Sequence, residues 1–315
     1  EEEGSWFLGD WCAPGKNELS PVLVSSFYYA YVTRIMSRIA GVLGMTEDRD
    51  LYDIQFGEIC NAINQEFLDA DQHCYSIGRQ GADVFPFVLG CVPAELEEAI
   101  WTRLLHHYRT VTSGHLDTGI FGTAFLFELL SERGETALAA EMLLRKDYPS
   151  YGYMIEQGAT TLWEFWNGAA SHNHPMFGSV VSWLYKYAAG INQHPDSIAY
   201  ERVVLKPFGV EELSYASAVV HTIRGSYELH WERADAGRLQ VELKIPPNGG
   251  ADLYLPLHDA ERTLVLVREA EDGIVWENNR PLDQCAYDCQ MKQAYMLLKM
   301  PSGNYRLELT FNDND

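Results

Sequence analysis

Apolar residues recur at helical spacing through the first two thirds of the chain. One stripe follows Ser20-Pro21, an N-cap with proline at the first helical position, and comprises Val24, Phe27, Tyr28, Val32, Ile35, Met36 and Ile39. A second stripe comprises Leu51, Ile54, Ile59, Ile63 and Phe67. Further helices are predicted over 77–89, 94–111, 120–132, 136–144 and 177–189, with breaks at Gly119 and Gly134. The pattern predicts about eight helices joined by short turns between Ser20 and Gly190.

The pattern changes to that of β-strands after His194-Pro195-Asp196. Residues 202–207 form a β-branched run, and residues 228–232 alternate between polar and apolar. The segment Pro246-Pro247-Asn248-Gly249-Gly250 lies between two strand-like runs and predicts a hairpin. Similar runs follow at 263–268, 294–299 and 304–311. We therefore predict a helical domain over residues 1–195 and an antiparallel β-sandwich over residues 196–315.

Composition narrows the classes of partner. The 315 residues suffice for one or two domains, and 47% of them are hydrophobic, which is ample for a core. The formal net charge of −22 argues against a nucleic-acid partner, because phosphate binding needs clustered Lys and Arg. A neutral sugar is compatible with this charge. No apolar run approaches the ~20 residues that span a bilayer, so no membrane partner is expected.

The six cysteines do not form an evident framework. Cys60 and Cys91 lie beside apolar residues and are interpreted as small buried hydrophobic residues. Cys285 and Cys289 are spaced as two ligands on one helix face, but no second pair completes a tetrahedral metal site. We therefore predict neither a metal nor a cofactor. The cysteine pattern leaves the compartment open, whether cytoplasmic, periplasmic or secreted.

The most informative segment is Gly158-Ala159-Thr160-Thr161-Leu162-Trp163-Glu164-Phe165-Trp166-Asn167-Gly168. It places one carboxylate, Glu164, among three aromatic residues. Aromatic faces stack on sugar rings, and exclusion of water from a carboxylate raises its pKa and suits it to proton transfer. Such a mixture of apolar wall and few polar groups is typical of a small-molecule site. The alternative is that Trp163 and Trp166 are ordinary core residues and Glu164 a surface glutamate.

The surrounding motifs carry a family resemblance. Tyr148-Pro149-Ser150-Tyr151-Gly152-Tyr153-Met154-Ile155, the segment Gly158–Glu164, Asn173-His174 and Phe177-Gly178-Ser179-Val180 resemble the α-L-rhamnosidases of glycoside hydrolase family 78. The resemblance implies that Glu164 is the general base and that His174 contacts the sugar. The segment Gly9-Asp10-Trp11 also looks like a family motif, whose tryptophan lines the pocket.

The resemblance also implies a fold. It is an incomplete (α/α)6 helical barrel followed by a C-terminal β-domain. Six hairpins need twelve helices, so about four are expected to be missing from the predicted set, and the apolar residues beside them are expected to be exposed. The family's acid motif, of the form D-x-x-x-R-x-E-x-x-G-W-x-G-D, does not occur in the sequence. The chain is therefore interpreted as the C-terminal part of a longer enzyme.

The implied mechanism is inverting hydrolysis of terminal α-L-rhamnose, with two carboxylates ~6.5–9.5 Å apart. Glu164 would be the base, and the acid would lie outside this chain. Trp11 and Trp166 would stack on the sugar and Trp163 would line the pocket. His174 would bind a ring hydroxyl, Asp10 would accept a hydroxyl hydrogen bond, and His115 would lie near the pocket mouth. Without its acid, the chain alone is expected to hydrolyse poorly or not at all.

Two other classes of function stay open at this stage. One is a different helical-barrel glycosidase, or a glycan lyase, that uses the same aromatic and carboxylate arrangement. The other is a catalytically silent carbohydrate-binding subunit. The partners expected under the favoured interpretation are a rhamnose-containing glycoside or oligosaccharide and the missing N-terminal part of the enzyme.

Overall fold

The computed structural model describes residues 8–16, 19–234, 238–256, 262–268, 271–277, 280–281, 288–292 and 295–311. The chain divides into two compact units, Glu1–Val180 and Val181–Asp315. The first is helical and the second consists mainly of a sheet whose strand pairs are mostly antiparallel. The predicted order of a helical domain and a mostly antiparallel β-domain is confirmed. Cys285 lies outside the described residues.

The helical unit begins with two long helices, α1 (Pro21–Val42) and α2 (Thr46–Phe67), that pack side by side as a hairpin. The turn between them contains Gly44 at φ 72°, a left-handed conformation that glycine adopts without steric cost. Two short strands, β1 (Leu68–Asp69) and β2 (Cys74–Tyr75), pair antiparallel after α2. The first part of the predicted helical domain is thus a helical hairpin followed by a short two-stranded antiparallel sheet.

Shorter helices complete this unit. They are α3 (Gln80–Leu89), α4 (Glu97–His106), α5 (Ile120–Glu132), α6 (Thr136–Leu144), α7 (Tyr151–Glu156) and the start of α8 (Val180–Trp183). A π-helical turn, His107–Val111, extends α4, and a 3₁₀ turn, Pro175–Ser179, precedes α8. Helix α3 packs on α5, and α5 packs on α6. The helix predicted over 177–189 is therefore three short helical segments, which end with a π-helical turn at Leu184–Ala189.

An aromatic cluster forms the core beside the α1–α2 hairpin. The ring of Phe27 stacks on that of Phe85 with centroids 4.4 Å apart and meets Phe125 edge-on at 5.1 Å. Ile63 of α2 and Tyr75 of β2 are buried in the same cluster. The buried half of the α1 stripe thus connects α1 with α2, α3 and α5.

The other half of the predicted apolar stripes is exposed. Val32 and Ile39 of α1 are exposed, as are Leu51 and Ile54 of α2. Helical spacing places the first two in one stripe with the buried Phe27 and the last two in the stripe of α2, but no described element covers any of the four. The finding agrees with the expectation that apolar neighbours of absent barrel helices are exposed.

The second unit is built around one hydrogen-bonded sheet. Its strands are β3 (Ile191–Gln193), β4 (Arg202–Leu205), β5 (Tyr215–Thr222), β6 (Gly225–Arg233), β7 (Arg238–Pro256), β8 (Arg262–Arg268), β9 (Glu271–Glu277), β10 (Arg280–Pro281), β11 (Asp288–Lys292) and β12 (Tyr295–Phe311). The strand order along the main path of the sheet is β10-β9-β8-β12-β7-β4-β3. In addition, β11 pairs with β12, β6 pairs with β7, and β5 pairs with β6. Among the described strand pairs, β4 and β7 are parallel and the others antiparallel.

The hairpin predicted at Pro246–Gly250 is wrong. Strand β7 runs through this segment, and both of its halves pair antiparallel with the long strand β12. The register shifts between Pro301 and Gly303, which pair with Gly250 and Ile245. The proline- and glycine-rich residues therefore form a bulge rather than a turn, because pairing with β12 continues on both sides of them.

The core of this unit comes from alternating strand positions. Trp231, Leu243, Leu253 and Leu307 are all buried, as period-two strands facing one core require. The indole N–H of Trp231 donates to the carbonyl of Ala189 at 3.1 Å, which satisfies the polar atom of this buried ring.

Candidate active site

The loop after α7 brings Glu164 and His174 together. The N–H of Glu164 donates to the carbonyl of Ser171 at 2.8 Å, and the N–H of His174 donates to the carbonyl of Leu162 at 2.9 Å. These two bonds hold the segment before Glu164 against the segment that ends at His174. The side chains of the two residues are therefore positioned by backbone bonds across a ten-residue loop.

The carboxylate of Glu164 is partly buried and makes two polar contacts. Its Oε2 lies 3.5 Å from Nδ1 of His174 and accepts the N–H of Ser171 at 3.3 Å. The side chain is 19% exposed, so solvent still reaches it. Both contacts use the same oxygen. This arrangement orients a carboxylate that remains accessible to a small molecule.

Trp163 forms a stacked pair at the edge of this loop. Its ring stacks on that of His172 with centroids 4.6 Å apart, and Nε2 of His172 is 2.6 Å from the carbonyl oxygen of Gly168. A Cβ atom added to Gly168 would lie 2.8 Å from the Trp163 ring, and Gly168 has φ of 76°. The loop therefore requires glycine here, for space and for backbone conformation.

Trp166, two residues after Glu164, lies in the core. It is 1% exposed, and its N–H donates to the carbonyl of Thr118 at 3.3 Å. Its ring packs on Phe177 at 4.2 Å and on Tyr151 at 5.1 Å between centroids. The geometry therefore supports a role in fixing the loop and leaves little surface for the sugar stacking predicted from sequence.

The segment containing Trp11 borders the same loop. The ring of Trp11 is 6.1 Å from that of Phe165, the residue after Glu164. The neighbouring Cys12 is buried, and its burial together with the charges of Glu164 and Asp10 raises the pKa of its thiol to about 12. Trp11 and Cys12 therefore border the candidate site, although they are more than 150 residues from Glu164 in sequence.

Asp10 fastens this segment to the start of α5. Its Oδ2 accepts the N–H of Gly119 at 2.8 Å, and its Oδ1 accepts those of Phe121 at 3.0 Å and Gly122 at 2.9 Å. Burial raises the pKa of Asp10 to about 6, although the three N–H donors oppose the rise. Its geometry is that of a helix N-cap supplied from a distant part of the chain.

Two family models match consecutive parts of the chain. Residues 1–188 match the model of the bacterial alpha-L-rhamnosidase six-hairpin glycosidase domain, and residues 190–270 match that of the bacterial alpha-L-rhamnosidase C-terminal domain. The chain belongs to the bacterial α-L-rhamnosidase family.

Individual α-L-rhamnosidases share its sequence at moderate identity. A protein of this name from Streptomyces avermitilis is 29% identical over 280 residues, which cover 84% of this chain and 26% of that protein. One from Formosa agariphila is 28% identical over 271 residues, which cover 81% of this chain and 29% of its own length. The chain therefore spans less than a third of the length of these relatives.

Solved structures of α-L-rhamnosidases share its fold. The structure of the enzyme from Dictyoglumus thermophilum superposes with a TM-score of 0.84 at 30% identity over 97% of this chain and 34% of that one. The crystal structure of the Streptomyces avermitilis enzyme complexed with L-rhamnose has a TM-score of 0.77 at 25% identity, and covers 95% of this chain and 28% of its own.

His115 belongs to a different group of polar residues. Its Nδ1 contacts the carbonyl of Thr112 at 2.9 Å, and its Nε2 lies 3.1 Å from Nε of Arg145 and 3.0 Å from Oδ2 of Asp147. The structure therefore brings Glu164, His174 and Trp11 into one neighbourhood and gives His115 its own set of partners.

Sequence reasoning missed two residues of the candidate site. Ser171 contacts the Glu164 carboxylate through its backbone N–H, which no side-chain pattern reveals. Cys12 directly follows Trp11, and this adjacency in the sequence is the signal that could have located it. Within the described ranges, no cluster of three His, Cys, Asp or Glu side chains is arranged to hold a metal ion. Likewise, no helix there is long and apolar enough to cross a membrane.

Proposed function

We propose that this chain supplies the general base and part of the sugar-binding wall of an inverting α-L-rhamnosidase. Family membership supports the reaction class. The observation that carries the proposal is the Glu164 carboxylate, held 3.5 Å from His174 in a partly exposed loop beside Trp11. The complex of a related enzyme with L-rhamnose, from Streptomyces avermitilis, supports the choice of sugar.

The two oxygens of Glu164 are assigned different tasks. Oε2 accepts the Ser171 N–H and faces His174, so it orients the group. Oε1 is assigned to the attacking water, from which the carboxylate takes a proton as the C–O bond to the anomeric carbon forms. In an inverting reaction the leaving oxygen is protonated from the opposite side by a second carboxylic acid.

His174 is assigned to sugar recognition. Its Nδ1 lies toward Glu164, which leaves Nε2 for a ring hydroxyl of the substrate. The contact with Glu164 also restrains the imidazole ring of His174. The same contact therefore orients both the base and the histidine that binds the sugar hydroxyl. A histidine in this position couples binding of the sugar to orientation of the base.

The aromatic residues have two proposed roles, contact with the sugar and support of the loop that carries Glu164. Trp11 is partly exposed and borders Phe165, so we assign it to the apolar face of the sugar. Trp166 is enclosed by Phe177 and Tyr151, and we assign it to support of the loop. Asp10 is assigned to the anchoring of Trp11, since both of its oxygens already accept backbone hydrogen bonds.

The rest of the enzyme is proposed to supply the general acid and the remaining barrel helices. The relatives are more than three times as long as the segment that this chain matches. Helices α1 and α2 expose a set of large apolar residues that such helices would cover, namely Val22, Tyr29, Val32, Ile39, Val42, Leu51 and Ile54. Exposed apolar surface on this scale is typical of an interface.

The proposal is tested with an aryl α-L-rhamnoside. The full-length polypeptide is expected to release the aryl group, and the 315-residue chain alone to do so about 10²–10⁴-fold more slowly, because leaving-group protonation is lost. A parallel panel of aryl glycosides of other sugars serves as control. Turnover of a different glycoside, or formation of an unsaturated uronide that absorbs in the ultraviolet, would contradict the proposed substrate class. Robust turnover by the 315-residue chain alone would contradict the proposal that the general acid lies outside this chain.

A further inference from the structure

Two cysteines from different elements of the helical unit meet in its core. Cys60 lies in the second half of α2, and Cys91 follows α3 directly after Gly90, which ends that helix in a left-handed conformation. The thiol of Cys91 donates to the carbonyl of Pro86 at 3.6 Å, and each of the two thiols shifts the pKa of the other. Cys60 is buried, whereas Cys91 is only partly buried. The pair lies far from Glu164 in sequence and has no part in the proposed hydrolysis.

The backbone around Cys91 is tied to α2 within one turn of Cys60. Nδ2 of Asn64, four residues after Cys60 and on the same face of α2, donates to the carbonyl of Cys91 at 2.8 Å. Oδ1 of Asn64 in turn accepts the hydroxyl of Tyr75 at 2.6 Å. The N–H of Cys91 donates to the carbonyl of Pro86 at 3.1 Å. These bonds hold the backbone of Cys91 against α2, one helical turn from Cys60.

A cation lies beside the two thiols. Nη1 of Arg34, from α1, donates to the carbonyls of Val88 and Leu89 at 3.1 and 3.0 Å, just before Cys91. The neighbouring thiol of Cys91 and the charge of Arg34 lower the pKa of Cys60, although its burial opposes the change. The interaction with the Cys60 thiol, together with burial, raises the pKa of Cys91. Cys60 is therefore the more acidic thiol of the two and the better candidate for the attacking thiolate.

We propose that Cys60 and Cys91 are a redox-sensitive pair that closes to a disulfide when the protein meets a two-electron oxidant such as hydrogen peroxide. The Cys60 thiolate attacks one peroxide oxygen, the O–O bond breaks, and the leaving hydroxide takes a proton to become water. The sulfur of Cys91 then attacks the resulting sulfenic acid, the S–O bond breaks, and a second water leaves with the Cys91 proton. Two thiols and one peroxide become one disulfide and two waters.

The cross-link has a defined structural consequence. It joins α2 to the end of α3 and closes a loop of about 30 residues, which restricts the unfolded chain more than the folded one. Oxidation is therefore expected to raise the unfolding temperature of the helical unit by at least about 4 °C. Reduction with a dithiol is expected to reverse the change.

The test is peptide mapping of the full-length polypeptide. The reduced protein is treated with peroxide, quenched by alkylation under denaturing conditions, digested and analysed by mass spectrometry. The expected product is a peptide pair linked through Cys60 and Cys91, lighter by two hydrogen atoms and cleaved by dithiothreitol. Cys60→Ser and Cys91→Ser are expected to abolish it. Cys74→Ser, a matched change at a buried cysteine of the same unit, is expected to retain it.

Two results would overturn the proposal. One is recovery of both thiols in alkylated form after peroxide treatment of the wild-type protein. The other is oxidation of a single cysteine to sulfinic or sulfonic acid without a cross-link. The wild-type map decides between these outcomes and the disulfide even if a serine variant folds poorly.

Discussion

Replacement of Asp10 by alanine is predicted to loosen the segment that carries Trp11. In the folded protein the Asp10 carboxylate accepts three backbone N–H groups from the first turn of α5, including those of Gly119 and Gly122. The carbonyl of Trp11 accepts a further N–H, from Ile120, at 2.8 Å. Asp10→Ala removes three of these four bonds and leaves their donors in a buried region.

The magnitude follows from the number of donors left without a partner. A buried donor without a hydrogen bond costs about 1–3 kcal/mol, and entry of water into the vacated space offsets part of this. Asp10→Ala is therefore expected to lower the free energy of unfolding by about 3–5 kcal/mol. Asp10→Asn is expected to cost less, since its carbonyl oxygen can still accept the N–H groups of Phe121 and Gly122.

The raised pKa of Asp10 also predicts that the stability of the protein depends on pH. Burial raises the pKa of its carboxyl from 3.8 to about 6, so the folded protein binds this proton more tightly than the unfolded chain. The resulting stabilisation is fully present below about pH 4 and is lost as pH rises through 6, an effect of about 3 kcal/mol. Asp10→Asn cannot titrate, and its stability is expected to lack this component.

The assay is urea unfolding of the helical unit, followed by tryptophan fluorescence between pH 4 and 7. Asp50→Ala is the matched control, because Asp50 is exposed and pairs with its neighbour Arg49, and it is expected to change stability by less than about 0.5 kcal/mol. Equal stabilities of Asp10→Ala and Asp50→Ala would refute the anchoring role. An Asp10→Asn profile parallel to wild type would refute the pH assignment.

Two further predictions concern the loop around Glu164. Gly168→Ala is expected to destabilise the protein by about 1–3 kcal/mol in thermal unfolding, because its Cβ would meet the Trp163 ring. The control is Gly158→Ala, which has a similar φ but no atom within 4 Å of the added Cβ and is therefore expected to cost less. Equal losses of stability in the two variants would contradict the steric argument. In the full-length enzyme, His174→Ala is expected to weaken binding of rhamnose about tenfold, as measured by calorimetry, through loss of one hydroxyl contact. Unchanged affinity would remove His174 from sugar recognition.

The sequence predicted best those elements that local signals delimit. The bounds of α5 and α6 agree with prediction because Gly119 precedes the first and Gly134 separates the two. The mostly antiparallel β-domain was likewise evident from alternating strands. In contrast, the hairpin at Pro246–Gly250 was wrong because the pairing of β7 with β12, more than 50 residues away, outweighs the local turn signal.

The roles of single residues were less accessible. The segment around Glu164 was recognisable because its aromatic residues and carboxylate are adjacent in sequence. The anchoring contacts of Asp10 were not, since its partners lie more than 100 residues away and use only their backbone N–H groups. Trp166 was expected to contact sugar, and only the three-dimensional packing shows that Phe177 and Tyr151 enclose it.

The role of Glu164 as the proton acceptor is tested most directly by Glu164→Gln in the full-length enzyme. The account predicts that turnover of an aryl α-L-rhamnoside falls by about 10²–10⁴-fold or more while the fold is kept, and that azide restores product as a rhamnosyl azide of inverted configuration. Glu156→Gln, which changes an exposed glutamate paired with Lys146, should leave the rate unchanged. Turnover of Glu164→Gln close to that of wild type would contradict the account.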